Sequence, residues 1–260
     1  MPNYFTFMRK EFTESIRTKR FLVLACVFLF FAITTPLLTR FMGEFFNLML
    51  PSDDESSRLI VEALSNPSWQ ESYVQFYSQI SQIGIWAVLF MYMGTVQREI
   101  RTGTASLMFS KGLGFGAFIL AKFTMAAIVM LIISAVSSLV VYAYTFLLFD
   151  TAGQIGHVLT GSLIFSIGAI MILAVIIFCS SLTKSSAVSG GLSFGVYFLL
   201  VISTLIPRAG AFSPLILLNH PVGISVGNFP DTLLANILIA AALAVAALFF
   251  ATQALKKAEG

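Results

Sequence analysis

The chain contains the stretch VLTGSLIFSIGAIMILAVIIFCSSL, from Val158 to Leu182, which carries no charged residue and no histidine. As an α-helix it would rise about 1.5 Å per residue and extend roughly 37 Å, more than the ~30 Å hydrocarbon core of a bilayer. Because a charge at bilayer depth is costly, an uncharged run of this length predicts a membrane-spanning helix.

The same pattern occurs five more times along the chain. Apolar runs without an interior charge occupy Phe21–Leu38, Ile80–Val96, Phe123–Leu148, Val188–Ile206 and Leu233–Thr252. Composition agrees, since 58% of the 260 residues are hydrophobic and 10% are charged, whereas soluble domains average about 25% charged residues. We therefore predict an all-α polytopic membrane protein with six transmembrane helices in a single domain, residues 1–260.

The remaining residues exclude several classes of function. Six spans of about 20 residues leave too little chain for both the loops and a nucleotide-binding or catalytic domain. No phosphate-binding G-x-x-x-x-G-K-[ST] sequence is present, and the two histidines do not combine with Cys26 and Cys179 into a metal set. Both cysteines lie in apolar runs and are expected to be buried. We expect no enzyme activity, cofactor or metal in this chain, and a net charge of +3 gives no indication of a nucleic-acid partner.

Basic residues divide unevenly between the two sides of such a bundle. Twelve of the fifteen Lys and Arg residues fall before span one, between spans two and three, between spans four and five, or after span six. The opposite side holds most of the acidic residues. Because basic residues concentrate in cytoplasmic loops, we expect a multi-pass protein of the plasma membrane with both termini in the cytoplasm. The first run ends in Thr34-Thr35-Pro36 without a cleavage site, so we expect an uncleaved span.

Residues 1–20 are predicted to form a helix that lies in the membrane interface. At 100° per residue, one face carries Tyr4, Phe5, Met8, Phe12 and Ile16, and the opposite face carries Lys10, Glu14 and Arg17. An apolar face opposed by a charged face is typical of interfacial helices.

Two longer segments are predicted on the external side, residues 39–79 and 207–231. In the first, Ser52-Asp53-Asp54-Glu55 has the form of a capping box and predicts a short external helix. The second holds four of the eight prolines and the apolar run from Leu215 to Leu218, which is too short to cross a bilayer. Such a run predicts a re-entrant or interfacial hairpin buried against protein, because unpaired backbone cannot face lipid.

Residues 97–122, between spans two and three, carry the most informative pattern. The chain reads REIRTGTASLMFS from Arg98 to Ser110 and continues through three glycines, which we interpret as a hinge. This resembles the cytoplasmic coupling loop of ATP-binding-cassette transporter permeases of the type V exporter class. In that family an acid precedes a Gly-Thr pair by four positions, a short apolar helix and a serine follow, and a lysine opens the next span. The matching residues are Glu99, Gly103, Thr104, Leu107, Ser110 and Lys122. Gly112 replaces the family's usual proline, and Phe115 and Gly116 replace its usual basic pair.

The resemblance implies a permease subunit of an exporter. A coupling helix at about residues 103–109 would dock into a separate ATPase subunit, with Glu99, Gly103, Thr104, Leu107 and Ser110 as the coupling residues. ATP and Mg²⁺ are then expected on that partner. The family also implies a functional pair of six-span halves, either two copies of this chain or this chain with a sister permease, surrounded by membrane lipids. The basic leader similarly resembles the family's elbow helix.

By the same resemblance, spans one, two and five line the substrate path. The candidate wall residues are Phe28, Phe31, Thr34, Thr35, Ser193, Tyr197 and Ser203. Walls of this kind suit an amphipathic or hydrophobic cargo, and the chain is similar to half-size permeases that export small amphipathic peptides, including toxins, from the cytoplasm or inner leaflet. Two alternatives remain open: a permease for lipids or drugs, and a non-transporting membrane subunit for immunity or assembly.

Overall fold

Helices make up all of the regular structure in the computed structural model, which describes residues 4–49, 68–206 and 210–259. The α-helices are α1 (Tyr4–Arg17), α2 (Arg20–Met49), α3 (Trp69–Gln79), α4 (Ile85–Tyr92), α5 (Thr95–Arg101), α6 (Thr104–Ser110), α7 (Phe115–Phe149), α8 (Ile155–Leu182), α9 (Ser186–Thr204), α10 (His220–Ser225) and α11 (Leu233–Glu259). A π-helical turn, Ile80–Gly84, joins α3 to α4, and two 3-10 helices, Gly210–Phe212 and Pro214–Leu218, precede α10.

Six helical segments are long and apolar enough to cross a membrane. They are Arg20–Met42, Trp69–Arg101, Phe115–Phe149, Ile155–Leu182, Ser186–Thr204 and Leu233–Lys257. Each overlaps one of the six runs identified in the sequence. The predictions of an all-α chain and of six candidate transmembrane helices are therefore confirmed over the described residues.

The second helical segment begins well before the predicted run. Residues 69–79, which the sequence analysis assigns to the external segment 39–79, form α3. Here Tyr73, Phe76 and Tyr77 are buried on the inner face, so helical spacing of large aromatic residues extends the helix even where its outer face is polar. The third segment likewise begins at Phe115 instead of Phe123. The predicted capping box at residues 52–55 lies outside the described residues.

Helix α2 passes through Pro36 and ends at Met49, beyond the end of the predicted run. Proline lacks a backbone N–H and leaves a carbonyl without its helical donor. In this turn the hydroxyls of Thr34 and Thr35 each donate a 2.7 Å hydrogen bond to the carbonyl oxygen four residues earlier. These bonds go to Phe30 and Phe31 and not to the Ala32 carbonyl that Pro36 leaves without its donor. Helix α2 nevertheless continues past Pro36, and transmembrane helices tolerate proline in this way.

Helix α8 is the central helix of the bundle and packs against α7, α9, α10 and α11. Over an apolar stretch of 18 residues, 78% of the residues of α8 are buried, whereas the corresponding share is 22% in α9 and in α11. At Gly168 a side chain would stand 3.0 Å from Leu218 and 3.2 Å from Leu217, so the 3-10 helix lies directly on α8. The short apolar run at Leu215–Leu218 therefore packs on protein.

The outer helices turn many apolar side chains away from the bundle. On α2 this outward face includes Cys26, which is exposed, whereas Cys179 of α8 is buried. The expectation that both cysteines are buried is therefore wrong for Cys26. Residue type alone does not separate an inward from an outward position when both faces of a helix are apolar.

Candidate functional site

A buried lysine joins three separate segments of the chain. Lys122, near the start of α7, has a side chain that is 1% exposed, and its Nζ lies 2.8 Å from Glu99 Oε1 and 3.0 Å from Glu11 Oε1. Glu99 belongs to α5 and Glu11 to α1. An ammonium group so far removed from water is stable only when carboxylates are paired with it. The geometry thus ties α1, α5 and α7 together at one point.

Lys10 completes this cluster on its water-facing side. Its Nζ lies 2.6 Å from Glu99 Oε1 and 2.9 Å from Glu14 Oε2. Lys10 and Glu14 belong to the charged face predicted opposite the apolar one, but in the structure Lys10 contacts the buried carboxylates of Glu11 and Glu99, and Glu14 pairs with Lys10. We refer to Lys10, Glu11, Glu14, Glu99 and Lys122 as the ion network.

The ion network shifts the pKa values of Lys10 and Glu14. Burial by itself would lower the pKa of Lys10, but the hydrogen bond to Glu99 and the charges of Glu11 and Glu99 outweigh it and raise that pKa above its ordinary value. Burial would raise the pKa of Glu14, yet the hydrogen bond from Lys10 and the nearby lysine charges hold it below its ordinary value. Both groups are therefore charged at neutral pH.

Two aromatic rings shield the ion network. Phe7 of α1 stacks on Phe118 of α7 with ring centroids 5.4 Å apart. Lys122 Nζ lies 5.1 Å from the centroid of Phe118, and Lys10 Nζ lies 5.2 Å from that of Phe7. These rings attract the cations through their faces and exclude water from the ion pairs.

Helix α1 presents to the bundle a different face from the apolar one identified in the sequence. Phe7 and Glu11 are buried, whereas Phe12 and Ile16 are 53% and 56% exposed. The other predicted members of the apolar face are Met8, which is half-buried, and Tyr4 and Phe5, whose side chains lie outside the described part of the chain. The inward face of α1 is set by electrostatics as well as by packing, because Glu11 must turn inward to reach Lys122.

The carboxylates of the ion network also meet the distance criterion for a metal site. One oxygen each from Glu11, Glu14 and Glu99 lies within 4.8 Å of the others. However, the ammonium groups of Lys10 and Lys122 already contact all three acids. The chemistry of this donor set is that of ion pairs, since a cation would have to displace the lysines.

Helix α6 lies in the chain between two members of the ion network, Glu99 and Lys122. Gly103 precedes it with φ at 71°, and Gly112 follows it with φ at 88°, both in the left-handed region that glycine adopts without strain. Its inner side is anchored by buried Ala105 and by Phe109, whose ring lies 4.4 Å from that of Phe115. The short helix is thus fixed on one side and bounded by a glycine at each end.

The predicted coupling residues differ in their burial. Glu99 lies in the ion network, and its carbonyl oxygen accepts from the Thr104 hydroxyl at 3.4 Å. Gly103 starts the helix, whereas Leu107 is 62% exposed on its outer surface. Ser110 is also exposed and donates to the carbonyl oxygen of Leu107 at 3.0 Å. The coupling residues therefore extend from buried Glu99, below α6, to exposed Leu107 on the outer surface of α6.

The predicted path residues of span one fall into two environments. Phe31, Thr34 and Thr35 line a cavity of about 370 Å³ between α2 and α3, which also includes Gln75. Phe28 is fully buried instead, with its ring centroid 6.0 Å from that of Phe165.

The predicted path residues of span five do not reach that cavity. Ser193 is buried and donates to the carbonyl oxygen of Ser189 at 2.8 Å. Tyr197 is 8% exposed, and the Ser203 and Ser213 hydroxyls are 2.9 Å apart. The structure thus brings together only the Phe31, Thr34 and Thr35 part of the predicted set.

A polar face on the second span is missing from the predicted sites. Gln75 and Gln82 are exposed and Gln79 is half-buried, at helical spacing of four and three residues. Exposed Trp86 and Phe90 continue the same face toward α5. An amide side chain facing hydrocarbon is costly, so this face requires water or protein against it. The spacing of the glutamines is a signal already present in the sequence.

The residues of the ion network contributed by α1 are likewise missing from the predicted sites. Glu11 carries no such periodic signal, since its partners lie in distant parts of the chain.

No protein-family model matches this chain, and no curated protein matches its sequence.

Proposed function

We propose that the chain is the membrane-spanning permease subunit of an ATP-driven exporter of the ATP-binding-cassette type V class. One observation carries the proposal: α6 exposes Leu107 on its outer surface, while the base of this short helix is joined through Glu99 to the buried ion network. A helix fixed at its base and apolar on its outer side suits docking into a groove on another subunit. That subunit is an ATPase, which binds ATP and Mg²⁺.

The ion network is the mechanical link in this proposal. A movement of α6 displaces α5 and with it Glu99, which contacts Lys122 in α7 and Lys10 in α1. Separating a buried charge from its partner costs about 3–5 kcal/mol. The three helices therefore move together when the ATPase closes, and α7 carries the displacement into the bundle as one of its long helices.

A second six-span half completes the functional unit. Helix α9 is among the least buried candidate spans, and its Ala187, Gly191 and Gly195 form an exposed row of small residues. A side chain added at Gly191 or Gly195 would meet nothing within 4 Å. Small residues at four-residue spacing allow a second helix to approach closely, which suits a homodimer or a pair with a sister permease.

The substrate path lies along the first two spans. Its walls include Phe31, Thr34 and Thr35, now joined by the glutamine face at Gln75 and Gln79. Aromatic rings, hydroxyls and amides without a charge suit a small amphipathic peptide as cargo. In proteoliposomes containing the ATPase, amphipathic helical peptides should stimulate ATP hydrolysis, and stimulation by lipids or drugs alone would contradict the peptide assignment.

The distribution of basic residues gives the proposed permease an orientation in the membrane. Both termini and α6 lie on the cytoplasmic side of the plasma membrane, and α1 acts as the elbow helix. The exposed Phe12 and Ile16 face the membrane interface, while exposed Arg9 and Arg17 stay near lipid headgroups.

Replacing Leu107 with aspartate tests the docking step. An exposed carboxylate at this position leaves the folded core untouched but prevents insertion into an apolar groove. The tagged chain is purified from native membranes, and its bound ATPase is identified and quantified by mass spectrometry. We expect the wild type to retain the ATPase and the Leu107→Asp variant to lose it.

The control is Phe212→Asp, which places the same charge at a residue that is 52% exposed in the loop between spans five and six. This variant should retain the ATPase. Equal retention by Leu107→Asp and Phe212→Asp would reject α6 as the docking element. Wild-type chain that carries no ATPase would favour a non-transporting subunit.

A further inference from the structure

A second cavity lies where two candidate spans end, on the same side of the bundle as α6. It has a volume of about 320 Å³ and is lined by Gln97, Ile100, Arg101, Ser181, Leu182, Thr183 and Lys184. The candidate spans end at Arg101 and Leu182, so the cavity lies at the level where apolar helix gives way to polar chain. In a bilayer this level is occupied by lipid headgroups.

Two polar residues in the lining of this cavity, Gln97 and Ser181, are buried. Gln97 is 1% exposed, and its Nε2 donates a 2.5 Å hydrogen bond to the carbonyl oxygen of Lys184. The Ser180 hydroxyl accepts 3.1 Å hydrogen bonds from the backbone N–H groups of Val96 and Gln97. These contacts fix the start of α5 against the end of α8, and they hold the segment that carries Lys184 in place.

The charged residues that line the cavity, Arg101 and Lys184, are both basic. Arg101 and Lys184 are both exposed, neither takes part in a salt bridge with another described residue, and the lining contains no acidic side chain. Two cations on one cavity without a carboxylate favour an anion between them. This contrasts with Lys10 and Lys122, whose charges the ion network balances.

The apolar part of the lining indicates what kind of anion fits. Ile100 and Leu182 stand beside the cations, and Leu182 is 51% exposed. A phospholipid offers both a phosphate for Arg101 and Lys184 and acyl chains for these two residues. Since no acidic residue lines the cavity, it offers no partner for the ammonium group of a zwitterionic headgroup.

We propose that this cavity binds the phosphate of an anionic phospholipid, with phosphatidylglycerol as the representative chemistry. Basic pockets between transmembrane helices near one membrane face bind anionic headgroups in this way. Arg101 is separated from the start of α6 by two residues, Thr102 and Gly103, so a bound lipid holds the base of α6 at the membrane surface. The lipid site does not depend on the proposed exporter function.

Lipid binding to the purified chain tests the proposal directly. The protein in detergent is titrated with phosphatidylglycerol or phosphatidylcholine, and bound lipid is counted by native mass spectrometry. Two basic residues near a headgroup give a preference of about 30-fold for the anionic lipid. The Arg101→Gln/Lys184→Gln variant should lose this preference, whereas the charge-preserving Arg101→Lys/Lys184→Arg variant should keep most of it.

The matched control is Arg98→Gln/Lys111→Gln, which removes the same charge from exposed residues of the same region that do not line the cavity. It should bind phosphatidylglycerol like the wild type. The proposal fails if the Arg101/Lys184 variant keeps the preference, or if the control loses it equally. Glycerol 1-phosphate and inorganic phosphate are titrated in parallel, and binding of either as tightly as the lipid would show a site for a free anion instead.

Discussion

Replacing Lys122 with methionine removes the fully buried cation of the ion network while keeping most of the side-chain volume. In the wild type its Nζ lies 2.8 Å from Glu99 Oε1 and 3.0 Å from Glu11 Oε1. At an effective dielectric constant of 20, each contact supplies roughly 6 kcal/mol of Coulomb energy, most of which offsets the desolvation of the charges. The net loss is therefore much smaller than the sum of the two attractions.

Lys10, the lysine that remains in the ion network, limits the loss of folding stability. Lys10 stays 2.6 Å from Glu99 Oε1, but its distance to Glu11 Oε1 is 3.3 Å, so Glu11 is the carboxylate left poorly paired. We expect a loss near the lower end of the range for breaking a buried ion pair, about 3 kcal/mol. For a chain of this size that corresponds to a decrease in Tm of about 6–12 °C.

Thermal unfolding in detergent, followed by circular dichroism, measures this loss. The control is Lys111→Met, at an exposed lysine in the loop before α7, and it should change stability by no more than about 0.5 kcal/mol. Adding Glu11→Gln to the Lys122→Met chain should restore part of the stability, because it removes the poorly paired carboxylate. If Lys122→Met unfolds at the same temperature as Lys111→Met, the ion network does not hold the three helices together.

Two further predictions concern the same region. Gly103→Ala should destabilise the chain by about 1 kcal/mol, because φ is 71° at this position. Gly116→Ala, inside α7 with open space around it, should be neutral or stabilising in the same unfolding assay. Equal effects of the two substitutions would contradict the argument from backbone strain at Gly103. The lowered pKa of Glu14 means that its carboxylate stabilises the fold above its ordinary pKa of 4.5, and that this contribution is lost as the pH falls through the lowered value. Glu14→Gln should therefore show a smaller decrease in unfolding temperature than the wild type on acidification below pH 4.5, and identical decreases would refute the assignment.

The six helices were predictable because their signal is local. A run such as Val158–Leu182 excludes charge over a length that only a bilayer or a buried core requires. Helix ends were less predictable, since Tyr73 and Phe76 extend α3 through packing against other helices. Pro36 is similar, because a proline within a transmembrane helix does not by itself mark the end of that helix.

The candidate site was predictable only in part. The resemblance singled out Glu99 and Lys122 as residues that match the coupling loop, and these two side chains form an ion pair, but nothing in the sequence predicted that contact. The role of α1 was not predictable, because the helical projection of residues 1–20 favours the apolar face at Phe12 and Ile16. Glu11 is buried only because Lys122, 111 residues away in the chain, supplies its counter-charge.

The sequence by itself determined that this chain is helical and that six of its helical segments suit a membrane, because the length and the apolarity of each segment are properties of consecutive residues. The tertiary structure decided which faces of those helices are inward. It placed Lys122 between Glu11 and Glu99, and it left Arg101 and Lys184 on a cavity without an acidic partner. The physical reason is that the cost of a charge depends on what surrounds it in space, and the surroundings of these residues come from helices that are distant in the sequence.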